Sequence, residues 1–232
     1  MKHFFLLLFI FIALVTAFTA CAQTLVPKNE RTTSTPAAPT PFAQTITRPS
    51  GTRALAMDAR GENLYQATSD GLFVSADEGK AWNKLALPNE IANESVSQVA
   101  LRRESKELIP AEAPDTLFIA GEEIGVWRSG DAGKTWSNAA RDLGNGSVTA
   151  LTLHSNGYPR DESRGLYVWI ADVGVMESHD DGESWKRAAD TMLGLDNHNV
   201  TALTHTPLPE SMNTGWLYAS TASGAYLSMD CF

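Results

Sequence analysis

Cysteine and histidine are scarce in this chain of 232 residues, with two of the first and five of the second. Beyond the N-terminal segment the histidines are His154, His179, His198 and His205, and none forms an H-x-H, H-x3-H or Cys/His cluster. That spacing predicts no metal site, and no cofactor of any kind is signalled. Cys21 and Cys231 are too few for a disulfide framework. A long Thr/Pro stretch separates Cys21 from the rest, so pairing between the two is disfavoured and Cys231 reads as a lone thiol. Dense D-x-D-x-D-G oxygen patterns are missing too, and His179-Asp180-Asp181-Gly182 is the nearest approach to a calcium loop. There is no Gly-x-Ser-x-Gly elbow, nucleotide loop or His-Glu-x-x-His. Basic charge is in deficit, with 18 Lys+Arg against 27 Asp+Glu and a net charge of −9. This argues against nucleic acid and against anionic lipid headgroups as partners of the globular part. No stretch holds helical periodicity beyond about two turns.

The N-terminus does hold a long apolar run, from Phe4 to Ala20 behind Lys2 and His3. A basic start, an apolar core and small residues before a cut predict a secretory signal over residues 1–20. The ending Phe18-Thr-Ala-Cys21 resembles a bacterial lipobox, which implies lipid on Cys21, a membrane anchor and an extracytoplasmic location at the periplasm or cell surface. An ordinary cleaved signal and an uncleaved anchor are the alternatives, and all three place the folded part outside the cytoplasm. Residues 21–41 carry Arg31-Thr-Thr-Ser-Thr-Pro-Ala-Ala-Pro-Thr-Pro41, a composition that cannot bury a core and reads as an extended tether.

From residue 42 onward the chain repeats itself. Ser75-Ala-Asp77-Glu-Gly79-Lys-Ala-Trp82 returns as Ser129-Gly-Asp131-Ala-Gly133-Lys-Thr-Trp136 and as Ser178-His-Asp180-Asp-Gly182-Glu-Ser-Trp185. A fourth copy starts at Ser228-Met-Asp230. Serine-to-serine steps of 54, 49 and 50 residues mark a repeat architecture. Each octet stands between an apolar run and a tryptophan, as a tight turn between antiparallel strands would. The glycine supplies positive φ, while the aspartate and serine can take hydrogen bonds from turn N–H groups. Turn chemistry therefore accounts for these aspartates without catalysis. His179, inside one such turn, reads as solvated.

Ser-x-Asp-x-Gly-x-x-Trp in three full copies resembles the Asp-box, or BNR, repeat. That repeat marks β-propeller blades in sialidases, sortilin-type receptors, some endoglucanases and the photosystem II assembly-factor group. The resemblance covers roughly residues 42–232 and implies a propeller, with the Asp-box residues structural. It selects none of those activities.

The residues themselves predict an all-β propeller of four-stranded blades, about four in number, over 53–88, 96–141, 147–190 and 199–232. Third strands are expected to open at Gly71, Gly125, Gly174 and Gly224, and fourth strands at Trp82, Trp136 and Trp185. The last blade lacks a fourth strand. Phe42-Ala-Gln-Thr-Ile46 precedes Ala54 by the spacing that separates Trp136 from Val148, so it can complete that blade and close a four-blade ring. Otherwise the chain is the first part of a larger propeller.

Candidate binding groups lie in the turns between second and third strands: Asp70, Glu122, Glu123 and Asp172, with Ser223 in the fourth repeat. At similar blade positions they can form an acidic mouth for a cationic partner, or be solvated turn residues. A glycoside hydrolase would need two of them close together. The Phe-Arg-Ile-Pro-like start of sialidases is absent, and the arginines follow no matched pattern. Loops after the first strands, Arg102–Thr116, His154–Gly165 and Thr206–Gly215, are the other candidate binding surface. No catalytic residue is assigned. The reading is a non-catalytic binding or assembly scaffold for an unidentified protein or glycan ligand; a propeller glycoside hydrolase and a fragment of a longer Asp-box protein are the alternatives.

Overall fold

The structure, a computed structural model, describes residues 45–46, 49–102, 113–143, 146–154, 165–188, 200–206 and 216–227. Every regular element among them is a β-strand. The first sheet joins β1 (Thr45–Ile46), β2 (Thr52–Met57), β3 (Leu64–Thr68), β4 (Gly71–Ser75) and β5 (Trp82–Lys84) in the order β1-β5-β4-β3-β2. The second runs β6 (Gln98–Arg102), β7 (Thr116–Gly121), β8 (Gly125–Ser129), β9 (Ser137–Asn138), each beside the next. β10 (Val148–Leu153), β11 (Leu166–Ile170), β12 (Gly174–Ser178) and β13 (Lys186–Arg187) form the third, and β14 (Val200–Thr206), β15 (Trp216–Thr221) and β16 (Gly224–Leu227) the fourth. All pairings are antiparallel. These are the four blades of a β-propeller, and the third strands begin at the four glycines the repeat singles out.

Blade faces follow the two-residue period of a strand. Leu55, Val99, Leu151 and Leu203 are equivalent, since each pairs with the third residue of its own Leu-first second strand: Gln66, Ile119, Val168 and Ala219. Val99, Leu151 and Leu203 point to the preceding blade and are buried there. The opposite faces, led by Tyr65, Phe118 and Tyr167, meet them. Three cores result. Tyr65, Leu72 and Val74 pack on Val99, Leu117 and Trp127; Phe118 and Val126 on Leu151 and Val168; Tyr167, Trp169 and Val175 on Leu203 and Leu217. Buried aliphatic and aromatic side chains of this size each stabilise by about 1.5–3 kcal/mol, so the cores dominate the fold's energy.

Neighbouring inner strands are also stitched by hydrogen bonds. Gln98 Nε2 donates to the Thr149 carbonyl at 3.1 Å and Thr149 Oγ1 to that of Val200 at 2.8 Å. Among the described residues no core joins the fourth blade to the first, and Leu55 and Met57 stand 61% and 59% exposed.

The N-terminal strand does not complete the last blade. Thr45 and Ile46 pair with Asn83 and Trp82, extending the outer edge of the first sheet. Six chain steps of about 3.3 Å from β1 to β2 match the four strand spacings of about 4.8 Å that separate them, so the pairing is reached without strain. Phe42 itself, the signal and tether, Cys21, His198, Ser228, Asp230 and Cys231 lie outside the described residues.

Candidate functional site

The three octets build the same corner. The serine Oγ donates to the aspartate Oδ1 at 2.7, 2.8 and 2.8 Å for Ser75–Asp77, Ser129–Asp131 and Ser178–Asp180. It also accepts from the glycine N–H, at 2.9 Å for Gly79 and 2.8 Å for Gly133 and Gly182. Each aspartate Oδ1 then accepts the backbone N–H four residues on, from Ala81, Thr135 and Ser184, at 2.9, 2.8 and 2.9 Å. Thr135 and Ser184 add hydroxyl bonds to Oδ2 of Asp131 and Asp180 at 2.6 and 2.5 Å. Two successive residues are left-handed in every copy: Glu78, Ala132 and Asp181 at φ of 62°, 60° and 65°, then Gly79, Gly133 and Gly182 at 83°, 86° and 85°. Gly182 is doubly constrained, because a Cβ there would meet Ala139 Cβ and its carbonyl oxygen at 2.7 Å each.

These bonds set the charge state of the corners. Asp77 is held below the usual carboxylate range by the Ala81 N–H and then by Ser75. Burial pushes Asp131 and Asp180 up, but their hydroxyl and N–H donors outweigh it and both end lowered. All three are acceptors already committed to their own turns.

Each tryptophan ties its corner to a carbonyl. Trp136 Nε1 donates to Ala86 of the preceding blade at 3.2 Å and Trp185 Nε1 to Ala139 at 2.7 Å. Trp82 differs, donating to its own Gly79 at 3.1 Å.

A second set of links was not visible in the sequence. Arg102 belongs to β6 rather than to the following loop; it is 4% exposed, lies over the Phe118 ring at 4.9 Å and pairs with Asp181. Arg128 donates to the Asp181 carbonyl and pairs with Glu183. The second blade thus grips the third octet through two arginines. At the boundary of the third and fourth blades, Tyr167 stacks on His205 with centroids 5.9 Å apart, and His205 meets His154 at 4.0 Å. Burial, and secondarily the Glu177 charge, pushes the Tyr167 hydroxyl well above its ordinary value.

Glu177, 5% exposed at its side chain, pairs with Lys186 Nζ at 2.9 Å and faces His179 Nε2 at 3.6 Å. Burial pushes its carboxyl up, but His179 and Lys186 outweigh that and hold it below the ordinary value. An ionised buried glutamate suits an ion pair and not a proton donor. His179 is consequently half-buried and partnered, not solvated. The signal that could have found Glu177 is its position: Val74 occupies the equivalent inward site of the first blade.

Asp70, Glu122, Glu123 and Asp172 are all exposed, in the turns joining β3 to β4, β7 to β8 and β11 to β12. Those turns lie at the strand ends opposite the octets, so the acids share one rim and the corners the other. They sit on three separate hairpins, with Ser223 in the fourth. Asp172 adopts a φ of 63°, and the Asp70 N–H donates to Thr68 Oγ1 at 3.0 Å. Of the loops after the first strands, 103–112, 155–164 and 207–215 lie outside the described residues. Among the described residues no group of three His, Cys, Asp or Glu side chains is placed to hold a metal ion.

No protein-family model and no curated protein matches the chain. Solved β-propeller structures do. One is the extracellular domain of BT4673, named as a one component system, from B. thetaiotaomicron: 15% identity, 76% of this chain and 21% of that one, TM-score 0.52. Another is the GH74 enzyme of Niastella koreensis, with 21% identity, 74% and 23% of the two chains, and a TM-score of 0.48. The GH74 xyloglucanase of Xanthomonas campestris follows at 17% identity, 73% and 27% coverage, and a TM-score of 0.49. The chain spans about a quarter or less of the length of these structures. Likeness at this level concerns the fold alone.

Proposed function

We propose that the chain is an Asp-box β-propeller held outside the cytoplasm by lipid on Cys21, and that it binds a protein or glycan ligand without turning it over. The observation that carries the reading is the state of its acids. The three octet aspartates are spent on their own turns, and the buried glutamate is held ionised by Lys186 and His179. None of these is poised as the protonated acid that glycoside hydrolysis requires. The exposed acids Asp70, Glu122, Glu123 and Asp172 repeat around one rim, and a rim of one sign attracts a cationic partner, such as a basic protein segment, from solution.

The test has two arms on the full chain. Binding to arrays of glycans and of basic peptides is measured at low and high salt, and compared with a variant carrying D70N, E122Q, E123Q and D172N. Expected is a salt-sensitive ligand lost in the variant, with no release of reducing sugar from β-glucans. Sugar release that disappears in E123Q or D172N would overturn the scaffold reading. Mass spectrometry of the N-terminal peptide checks the anchor: a lipid adduct on Cys21, absent in Cys21→Ser, is expected, and an unmodified Cys21 would remove it.

A further inference from the structure

We infer that His154 and His205 form an acid-sensitive latch between the third and fourth blades, closed while the rings are neutral and opened when both are protonated. The rings come from different blades, His154 from the residue after β10 and His205 from β14. Their centroids are 4.0 Å apart at an interplanar angle of 33°. His205 is 5% exposed and His154 half-buried. Tyr167 of the third blade, fully buried, stacks on His205 as well.

The other junctions show what this position ordinarily holds. His205 pairs with Leu217 as Leu101 pairs with Leu117 and Leu153 with Leu166, so the three residues share one register position. Leu101 and Leu153 pack on the cores between the first and second and the second and third blades. At the third junction an ionisable ring stands where the first two have leucine.

Two imidazoles in contact tolerate one proton and not two. With ring centres 4.0 Å apart and an effective dielectric of about 20, the second charge is disfavoured roughly thousandfold. Separated histidines take up both protons as pH falls through about 6.5. The open junction therefore binds one proton more than the closed one. Closure is complete above that pH and is lost below it, by up to about tenfold per pH unit.

The surrounding charges do not remove this conflict. Among the described residues, the titratable groups facing the pair are Tyr167 of β11 and Glu177 of β12, with Lys186 of β13 and His179 around the glutamate. Tyr167 stays neutral, because burial holds its hydroxyl well above its ordinary value. Glu177 supplies one negative charge, which Lys186 at 2.9 Å already balances. His179 pairs with Glu177 inside the third blade and does not span the junction. Arg187 and Tyr218 stand on the opposite faces of their sheets, and Arg102 is committed to Asp181.

The experiment is hydrogen exchange read by mass spectrometry on the full chain in detergent, from about pH 7.5 to about pH 5, each rate divided by the intrinsic rate at that pH. The octet aspartates, held below the usual carboxylate range, stay ionised throughout. Expected is protection of β14 and β15 that falls by up to about tenfold per pH unit below about 6.5, while β3 and β7 keep theirs. His205→Leu installs the side chain of the other two junctions, and His154→Gln removes the opposing charge. Circular dichroism at neutral pH confirms that each variant folds. In either variant the pH dependence of β14 and β15 disappears. Fourth-blade protection indifferent to pH in the unaltered chain overturns the proposal. So does a loss that persists in a folded variant, or one that all four blades share.

Discussion

Within each octet the serine should matter more to stability than the aspartate, although the aspartate makes more bonds. Ser129 is 2% exposed, and its Oγ is the acceptor for the buried Gly133 N–H at 2.8 Å. Ser129→Ala leaves that N–H without a partner where water does not reach, which costs about 1–3 kcal/mol. It also removes a donor to Asp131. Asp131→Ala removes more bonds, but the Lys134 and Thr135 groups it frees are exposed and water takes its place. A loss near 1 kcal/mol, as for a helix cap, is expected there. Urea denaturation reads the difference. With a slope of about 2–3 kcal/mol/M, Ser129→Ala shifts the midpoint by up to about 1.5 M and Asp131→Ala by about 0.4 M. Ser178→Ala and Asp180→Ala should repeat the order. If the aspartate variants are the more damaging in both blades, the corner is not held as described here.

Two further perturbations test the charged groups. Asp77, Asp131 and Asp180 all have folded values below the ordinary one, so their contribution is complete above the unfolded carboxylate pKa of about 3.9 and is lost as pH falls through the folded values; thermal midpoints should fall below about pH 4, and the triple Asp→Asn variant should show a shallower acid limb. Arg102→Met removes the buried guanidinium paired with Asp181 and should destabilise by about 3 kcal/mol, with a double-mutant cycle against Asp181→Asn giving a coupling above about 1 kcal/mol; additive losses would show that the pair is not coupled.

What the sequence made legible was whatever repeats. The octet fixes where the third strand ends, at Ser75, Ser129 and Ser178, and brings the start of the fourth to within one residue, at Trp82, Ser137 and Lys186; Gly71, Gly125 and Gly174 mark strand starts to the residue, because turn conformation is a local property. Long-range choices were hidden. Phe42–Ile46 carries an outer-strand pattern that suits any blade edge, and only the pairing of Thr45 and Ile46 with Asn83 and Trp82 assigns its described part to the first. Arg102 reads as a loop residue because nothing nearby in sequence pairs with it; its partner is Asp181, in the next blade. His179 reads as solvated for a different reason: its partner Glu177 is two residues away, at an inward strand site that Val74 fills in the first blade. The left-handed residue before each octet glycine was also missed: Glu78, Ala132 and Asp181 share no side-chain type that announces it.

The tryptophan bonds between blades run one way: Trp185 depends on a carbonyl of the second blade and Trp136 on one of the first, and among the described residues no octet tryptophan bonds to the blade after it. Mechanical or thermal damage is therefore inherited downstream: loosening β5 unseats the corner of the second blade, whereas loosening β13 leaves the second blade's corner intact. A repeat array built this way has a polarity of failure along its own sequence, and hydrogen exchange that follows successive blades should register it as graded protection.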